Sequence, residues 1–241
     1  MGWFEMAVML LVPFSGSILH SACGFGLSIL VMSTIPYILP FQQAAVLSTL
    51  IAASNSLMMS IRERKYIQFR RVWPIIIGYQ TTLYVTTQIS FAQPDDLLKK
   101  CLGVMLIALG IYNMFLGDRF RIRPTARNGF LSGVIGGVGA GFFTIGGPPV
   151  AVYLMAAVTD KREYRATLNF QFFLGTASST LVRAANGAVT PQVLGWWGVS
   201  FILILIGSRV GNKVFDRING LTVRRITCFL IAISGVNMVI R

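Results

Sequence analysis

The sequence predicts an all-α integral membrane protein built as two inverted repeats, each a broken, re-entrant helical hairpin followed by three transmembrane helices. Three observations carry that class. Hydrophobic residues make up 54% of the 241 and charged residues only 12%, with mean hydropathy +0.68, whereas soluble domains carry about 25% charged residues. Glycine-broken apolar stretches open both halves of the chain. The charge of corresponding loops reverses between the halves.

The net charge of +13 does not indicate nucleic acid, because Lys and Arg fall in short clusters between apolar runs, the pattern of cytoplasmic loops. Cys23, Cys101 and Cys228 stand singly in apolar surroundings without metal-ligand spacing, and are expected as small buried hydrophobes. No basic residue precedes the first apolar run, so a cleaved signal peptide is not expected.

The first repeat is expected over residues 1–118. Residues 3–40 are apolar but interrupted at Ser15-Gly16-Ser17 and through His20 to Gly26; apolar runs follow at 42–61, 72–92 and 97–117, each near the roughly 20 residues of a span. A basic cytoplasmic linker covers 119–127. The second repeat, 128–241, restarts with a broken segment at 128–158 and continues with runs at 163–183, 193–213 and 221–240. Trp73, Trp196 and Trp197 sit at run edges as interfacial anchors.

Within the second broken segment Gly129, Gly133, Gly137 and Gly141 recur every four residues and form one bare stripe on a helix. Gly146 and Gly147 suit a break, and Pro148 and Pro149 suit the first turn of a new helix. The repeat shows in residues: Ser15-Gly16 and Gly24-Phe25 match Ser132-Gly133 and Gly141-Phe142 at an offset of 117. Ile107-Ala108 and Asn113-Met114 match Ile231-Ala232 and Asn237-Met238 at an offset of 124.

Charge sets orientation. The loop with Arg62, Arg64, Lys65, Arg70 and Arg71 is basic, while Asp95 and Asp96 offset Lys99 and Lys100 in the next. In the second half the uncharged loop Asn186 to Gln192 comes first, and the basic one (Lys213, Arg217, Arg224, Arg225) second. The positive-inside rule then orients the halves oppositely and makes each broken segment enter and leave on one side. Eight plain spans are the alternative, and leave the reversal unexplained.

Two breaks related by a pseudo-two-fold would meet near the midplane, where half-helix N-termini suit an oxyanion. The candidate substrate ligands are the backbone groups of Gly24, Phe25 and Gly26 at one break and of Thr144, Gly146, Gly147 and Pro148 at the other. The alternative is that the glycines serve helix packing alone. Asn169, Thr176, Thr180 and Arg183 share one helical face and correspond at an offset of 121 to Ser48, Asn55, Met59 and Arg62; Gln171 lies off that stripe. Ser48, Asn55, Asn169 and Gln171 are candidate side-chain donors, or bond between helices; Arg62 and Arg183 are expected to snorkel from helix ends. Gln80, Tyr84 and Gln88, with nearby threonines, form a further polar face expected along the transport pathway. All eight acids fall at run ends or loops, which disfavours a cation carrier; if protons are coupled to transport His20 is the candidate, the alternative being a neutral histidine bonded locally at the hairpin break. No enzyme motif, metal set or cofactor motif occurs, so no cofactor is expected and the partners are a small anion and the lipid bilayer.

Over Gly129 to Pro149 and the helix Arg165 to Ser179, the chain resembles the TauE/SafE family of sulfite exporters. Gly133, Gly136, Gly139, Gly146, Gly147 and Pro148 carry the likeness, with Gly207-Ser-Arg209-Val-Gly211 near the end of the penultimate run. The first half is less glycine-rich, and no proline follows its break at once. The resemblance implies a secondary transporter of sulfite or small organosulfonates in the bacterial inner membrane, often outward. An anion channel, or a carrier of another small organic anion, is the alternative.

Overall fold

The computed structural model describes residues 2–23, 26–111, 123–215 and 235–238, and every element among them is helical. The order is α1 (Trp3–Cys23), α2 (Leu27–Thr34) with a 3-10 turn (Ile35–Tyr37), α3 (Phe41–Arg62), a second 3-10 turn (Arg64–Tyr66), α4 (Phe69–Phe91), α5 (Asp95–Ile111), α6 (Ala126–Phe143), α7 (Gly147–Ala157), α8 (Lys161–Ala185) and α9 (Pro191–Phe215). Both broken segments are therefore helix pairs, α1 with α2 and α6 with α7. The last expected run, 221–240, lies outside the described residues except for 235–238.

Short polar residues start these helices where the sequence provides them. The Thr125 side chain caps α6 by accepting from the Asn128 N–H, and Asp160 caps α8 by accepting from Arg162 and Glu163. Asp95 accepts the Phe41 N–H at 3.0 Å and so caps α3 from a distance. Every described acid stands in a loop, at a cap or in the first turn of a helix.

Among the described residues two helices, Phe41–Arg62 and Pro191–Gly211, are long and apolar enough to cross a membrane. α4 and α8, with 23 and 25 residues, have the length of a span at about 1.5 Å per residue but are more polar. On α8 the polar residues Thr167, Asn169, Gln171, Ser179 and Arg183 are buried, whereas α4 buries Thr86, Thr87 and Ser90 and exposes Thr81 and Gln88.

The chain packs as two compact units, each drawing helices from both sequence halves. One contains Met1–Ile51, Gln93–Phe120 and Val189–Arg241; the other contains Ala52–Ala92 and Arg121–Ala188. In the second unit α4 lies along α6 at backbone distance. A Cβ added at Gly137 would come within 2.6 Å of the Tyr79 carbonyl oxygen, and one at Gly133 or Gly141 would collide with Ile75 or Thr86. Three of the four stripe glycines thus serve close helix packing, and Gly129 makes room for the Tyr153 ring. In the first unit the close pair is α1 with α9, where a Cβ at Gly211 would lie 2.7 Å from the Ile18 carbonyl oxygen.

Two sequence expectations change here. Cys101 is exposed on α5, not buried, because the face of α5 that packs inward carries Leu98, Leu102 and Leu106; the side chains of Cys23 and Cys228 are outside the description. On α4 the buried face is Val72, Ile75, Tyr79, Leu83 and Thr86, while Tyr84 and Gln88 lie on the exposed side.

Candidate anion-binding site

The site builds up around the break in the second unit. α6 ends in a Schellman-type turn, with the Ile145 N–H on the Gly139 carbonyl at 3.1 Å and the Thr144 N–H on that of Ala140 at 2.9 Å. Thr144 holds the left-handed conformation (φ 61°, ψ 13°) that glycine usually supplies at this position. For a β-branched residue this is an outlier costing roughly 1–2 kcal/mol. Such strain marks a position where the side chain is wanted.

α7 starts at Gly147 with Gly146 as its cap residue and Pro148 and Pro149 in its first turn. The prolines preset the helical φ but have no N–H. The N-terminal donors at this break are therefore those of Gly146 and Gly147, and Pro148 contributes no donor. Ser132 on α6 donates its hydroxyl to the Pro149 carbonyl, which ties the two halves of the hairpin together.

Tyr79, unremarked in the sequence, is the side chain that reaches the break. Its ring is wedged against three glycines from three elements. A Cβ at Gly136 would lie 3.2 Å from the ring, one at Gly175 of α8 2.5 Å from it, and one at Gly146 2.5 Å from the hydroxyl oxygen. Tyr79 is 3% exposed. A helical stripe at 72, 75, 79, 83 and 86 with one tyrosine was the available signal; the polar residues on the opposite face obscured it.

Gln171 lies on the side of α8 turned toward α4. One turn before it, Thr167 accepts the Gln68 N–H at 2.9 Å, and one turn after it Gly175 meets the Tyr79 ring. Gln171 is fully buried, and neither its Nε2 nor its Oε1 has a hydrogen-bond partner among the described residues. Asn55 on α3 is in the same state at both ends of its amide, as are the hydroxyls of Ser56 and Ser60 on α3 and Thr87 on α4. Buried polar side chains are ordinarily paired, so five such residues within one unit call for a ligand or water. Arg165 clamps Glu63 through Nε (3.1 Å to Oε2) and Nη2, joining the start of α8 to the end of α3. Along their own helices Gln171 and Asn55 each lie about two turns from that ion pair.

The expected polar stripe behaves differently. Asn169 donates to the Arg165 carbonyl at 2.8 Å, Thr176 to that of Phe172 and Thr180 to that of Thr176, all within α8. Arg183 does not snorkel. It is fully buried, donates to the Gly141 carbonyl at 2.7 Å and stands over the Phe91 ring. A cation at the last turn of α6 satisfies an unpaired carbonyl and complements the helix dipole, which holds Arg183 inside. Arg62 is exposed, as expected.

In the first unit Gly26 caps α2 in the left-handed region (φ 116°), and its carbonyl accepts the Leu30 N–H. Gly24 and Phe25 lie outside the described residues. Ser48 is buried on α3 and engaged, His20 is buried and engaged on α1, and the Ser21 hydroxyl is buried without a partner among the described residues. Among the described residues no group of three His, Cys, Asp or Glu side chains converges on a metal position.

The family model described as "Sulfite exporter TauE/SafE" matches residues 9–238. The chain belongs to the TauE/SafE family. It is accordingly a membrane transporter of that family and not an enzyme. It is 23% identical over 217 residues to the probable sulfite/organosulfonate exporter TauE of Cupriavidus necator, across 88% of this chain and 85% of that protein. No solved structure matches this TauE/SafE chain significantly.

Proposed function

We propose that this protein is a secondary transporter that exports a small sulfur oxyanion or organosulfonate across the bacterial inner membrane by alternating access. The observation that carries the reading is the pair of buried, unpartnered amides, Gln171 and Asn55, in the unit that contains the strained break at Thr144. The substrate is held in that unit by the two amides, by the neighbouring hydroxyls and by the N–H groups of Gly146 and Gly147. A neutral set of donors suits a transporter, which must release what it binds. The name of the C. necator relative, a probable sulfite/organosulfonate exporter, supports the substrate class.

The two halves insert with opposite orientation, each broken helix pair entering and leaving on one side, and His20 is the side chain available for proton coupling. Cysteine labelling in a Cys101→Ser background tests the arrangement: Asn186 to Thr190 should label from outside and Arg64 to Tyr66 from inside. The reverse pattern would overturn it.

Thermal-shift titration of the purified protein tests the site. Sulfite or a sulfonate should stabilise the wild type saturably, by mass action on the folded state, and Gln171→Leu should lose the response. Gly147→Leu should remain folded, since Gly147 is partly exposed, yet lose transport. A carboxylate or phosphate that stabilises in place of every sulfur anion would sink the substrate class.

A further inference from the structure

The balance of donors and acceptors in the second unit restricts the form in which an anion can be buried there; this inference rests on Gln171 and Asn55 being substrate ligands. Both ends of each amide lack a partner among the described residues: Nε2 and Oε1 of Gln171, Nδ2 and Oδ1 of Asn55. A carboxamide offers two donors on nitrogen and an acceptor on oxygen. A dianion such as sulfite or sulfate only accepts hydrogen bonds. It answers the two nitrogens and leaves two carbonyl oxygens buried and unanswered, each at the full desolvation penalty of a polar atom. Flipping either amide exchanges its nitrogen and oxygen without removing the acceptor. The hydroxyls of Ser56, Ser60 and Thr87 adapt to either partner by rotating, so the amides decide.

We propose that the transported species carries at most one net negative charge and brings its own hydrogen-bond donor, and that dianions are rejected. Two chemical forms meet this requirement. One is a protonated oxyanion, hydrogensulfite, whose O–H answers one amide oxygen while its remaining oxygens accept from the amide nitrogens. The other is a sulfonate bearing an ammonium group, which donates to both amide oxygens. The residues one turn either side of Gln171 on α8 are Thr167 and Gly175, and the Tyr79 ring fills the space at Gly175 and reaches Gly146, so this stretch of α8 itself offers no cationic side chain to answer a second negative charge.

The test uses the full-length wild-type protein and isothermal titration with sulfite at a series of pH values across the hydrogensulfite titration. Affinity for total sulfite should fall as pH rises, by up to about tenfold per pH unit once the dianion dominates, the slope of a one-proton linkage. Taurine should bind with no such slope over the same range. Methanesulfonate, which cannot donate, and sulfate should bind at least tenfold more weakly than hydrogensulfite. The titratable and charged groups on the elements packed around Gln171 are Arg70, Arg71, Tyr79 and Tyr84 on α4, Arg127 on α6, Tyr153 on α7, Arg64, Lys65 and Tyr66 in the second 3-10 turn with Glu63 before it, and Lys161, Arg162, Glu163, Tyr164, Arg165 and Arg183 on α8. Tyrosine, arginine, lysine and glutamate side chains ordinarily titrate away from neutrality, and taurine, whose ammonium keeps its proton over this range, is the control. The same slope with taurine would assign the proton to the protein and overturn the inference. Affinity that rises with pH, or sulfate binding as tightly as hydrogensulfite, would also overturn it while leaving the proposed function intact. No binding by any sulfur anion would instead sink the proposed function.

Discussion

The two units solve the same packing problem from opposite sides. In each, a helix of one broken pair lies against a long helix from the other half of the sequence, at a distance that excludes a Cβ. In the second unit the missing side chains belong mostly to the broken pair: Gly133, Gly137 and Gly141 of α6 face α4. In the first unit they belong to the long helix, where Gly207 and Gly211 of α9 face Phe14, Ser17 and Ile18 of α1. Only one helix of a pair has to be bare for the backbones to meet. The choice has a consequence for chemistry. α1 keeps His20 and Ser21 near its end, whereas α6 is bare along the face toward α4. The Tyr79 side chain of α4 fills that space and reaches Gly146 at the second break.

The largest effect should come from filling either seam. Gly137→Leu and Gly211→Leu each drive a Cβ into backbone, which no side chain can relieve, so neither should yield monodisperse folded protein in detergent. Gly198→Leu, also on α9 but with nothing within 4 Å of its Cβ position, should purify normally. Tolerance of Gly211→Leu alone would break the equivalence of the two seams.

Next comes the buried cation that, among the described residues, only the second unit has. Arg183→Leu removes a charged donor and leaves the Gly141 carbonyl unanswered, at a cost of about 1.5–3 kcal/mol. Arg62→Leu, at the matching sequence position but exposed, should be near neutral in the same thermal unfolding assay. Equal losses would show that position along the helix, not burial, sets the role.

Thr144→Gly sharpens the comparison of the breaks, since the first break already has glycine in the left-handed region at Gly26. Relief of the strain should raise stability by about 1 kcal/mol, read as a higher melting temperature. Transport by the variant should fall, because the residue holds that conformation for its side chain. Unchanged stability would mean that the site tolerates threonine without strain.

The smallest effect is expected on the α8 stripe. Thr176→Val removes only a bond to the preceding turn of its own helix, and should shift stability by less than about 0.5 kcal/mol and leave anion-induced stabilisation unchanged. The neighbouring Gln171→Leu should abolish that stabilisation. A stripe variant that lost the anion response while Gln171→Leu kept it would reverse the assignment of the two faces.

Much of the helical framework was readable from residues alone. Apolar runs at 42–61, 72–92, 163–183 and 193–213 fall within a few residues of α3, α4, α8 and α9, because continuous hydrophobicity and capping are local properties. The break at Gly146-Gly147 with two following prolines was equally legible, since backbone freedom at glycine and the fixed φ of proline act on the residue itself. Acids outside the helix interiors followed from the cost of burying a charge.

The partners of polar side chains were not legible in that way. Asn169, Thr176 and Thr180 form the more conspicuous stripe, yet each closes a hydrogen bond on its own helix, whereas Gln171, off the stripe, has no partner among the described residues. Arg183 falls in the last turn of its helix, yet it is buried because the last turn of α6 presents the Gly141 carbonyl to it. The stripe of four glycines marks a close approach but does not name α4 as the helix that makes it. The sequence by itself determined the helices, the breaks and the membrane character, each fixed by interactions within a few residues along the chain. Only the tertiary structure decided which glycines pack, which polar groups are satisfied and which remain for a ligand, because those depend on atoms that distant segments bring together.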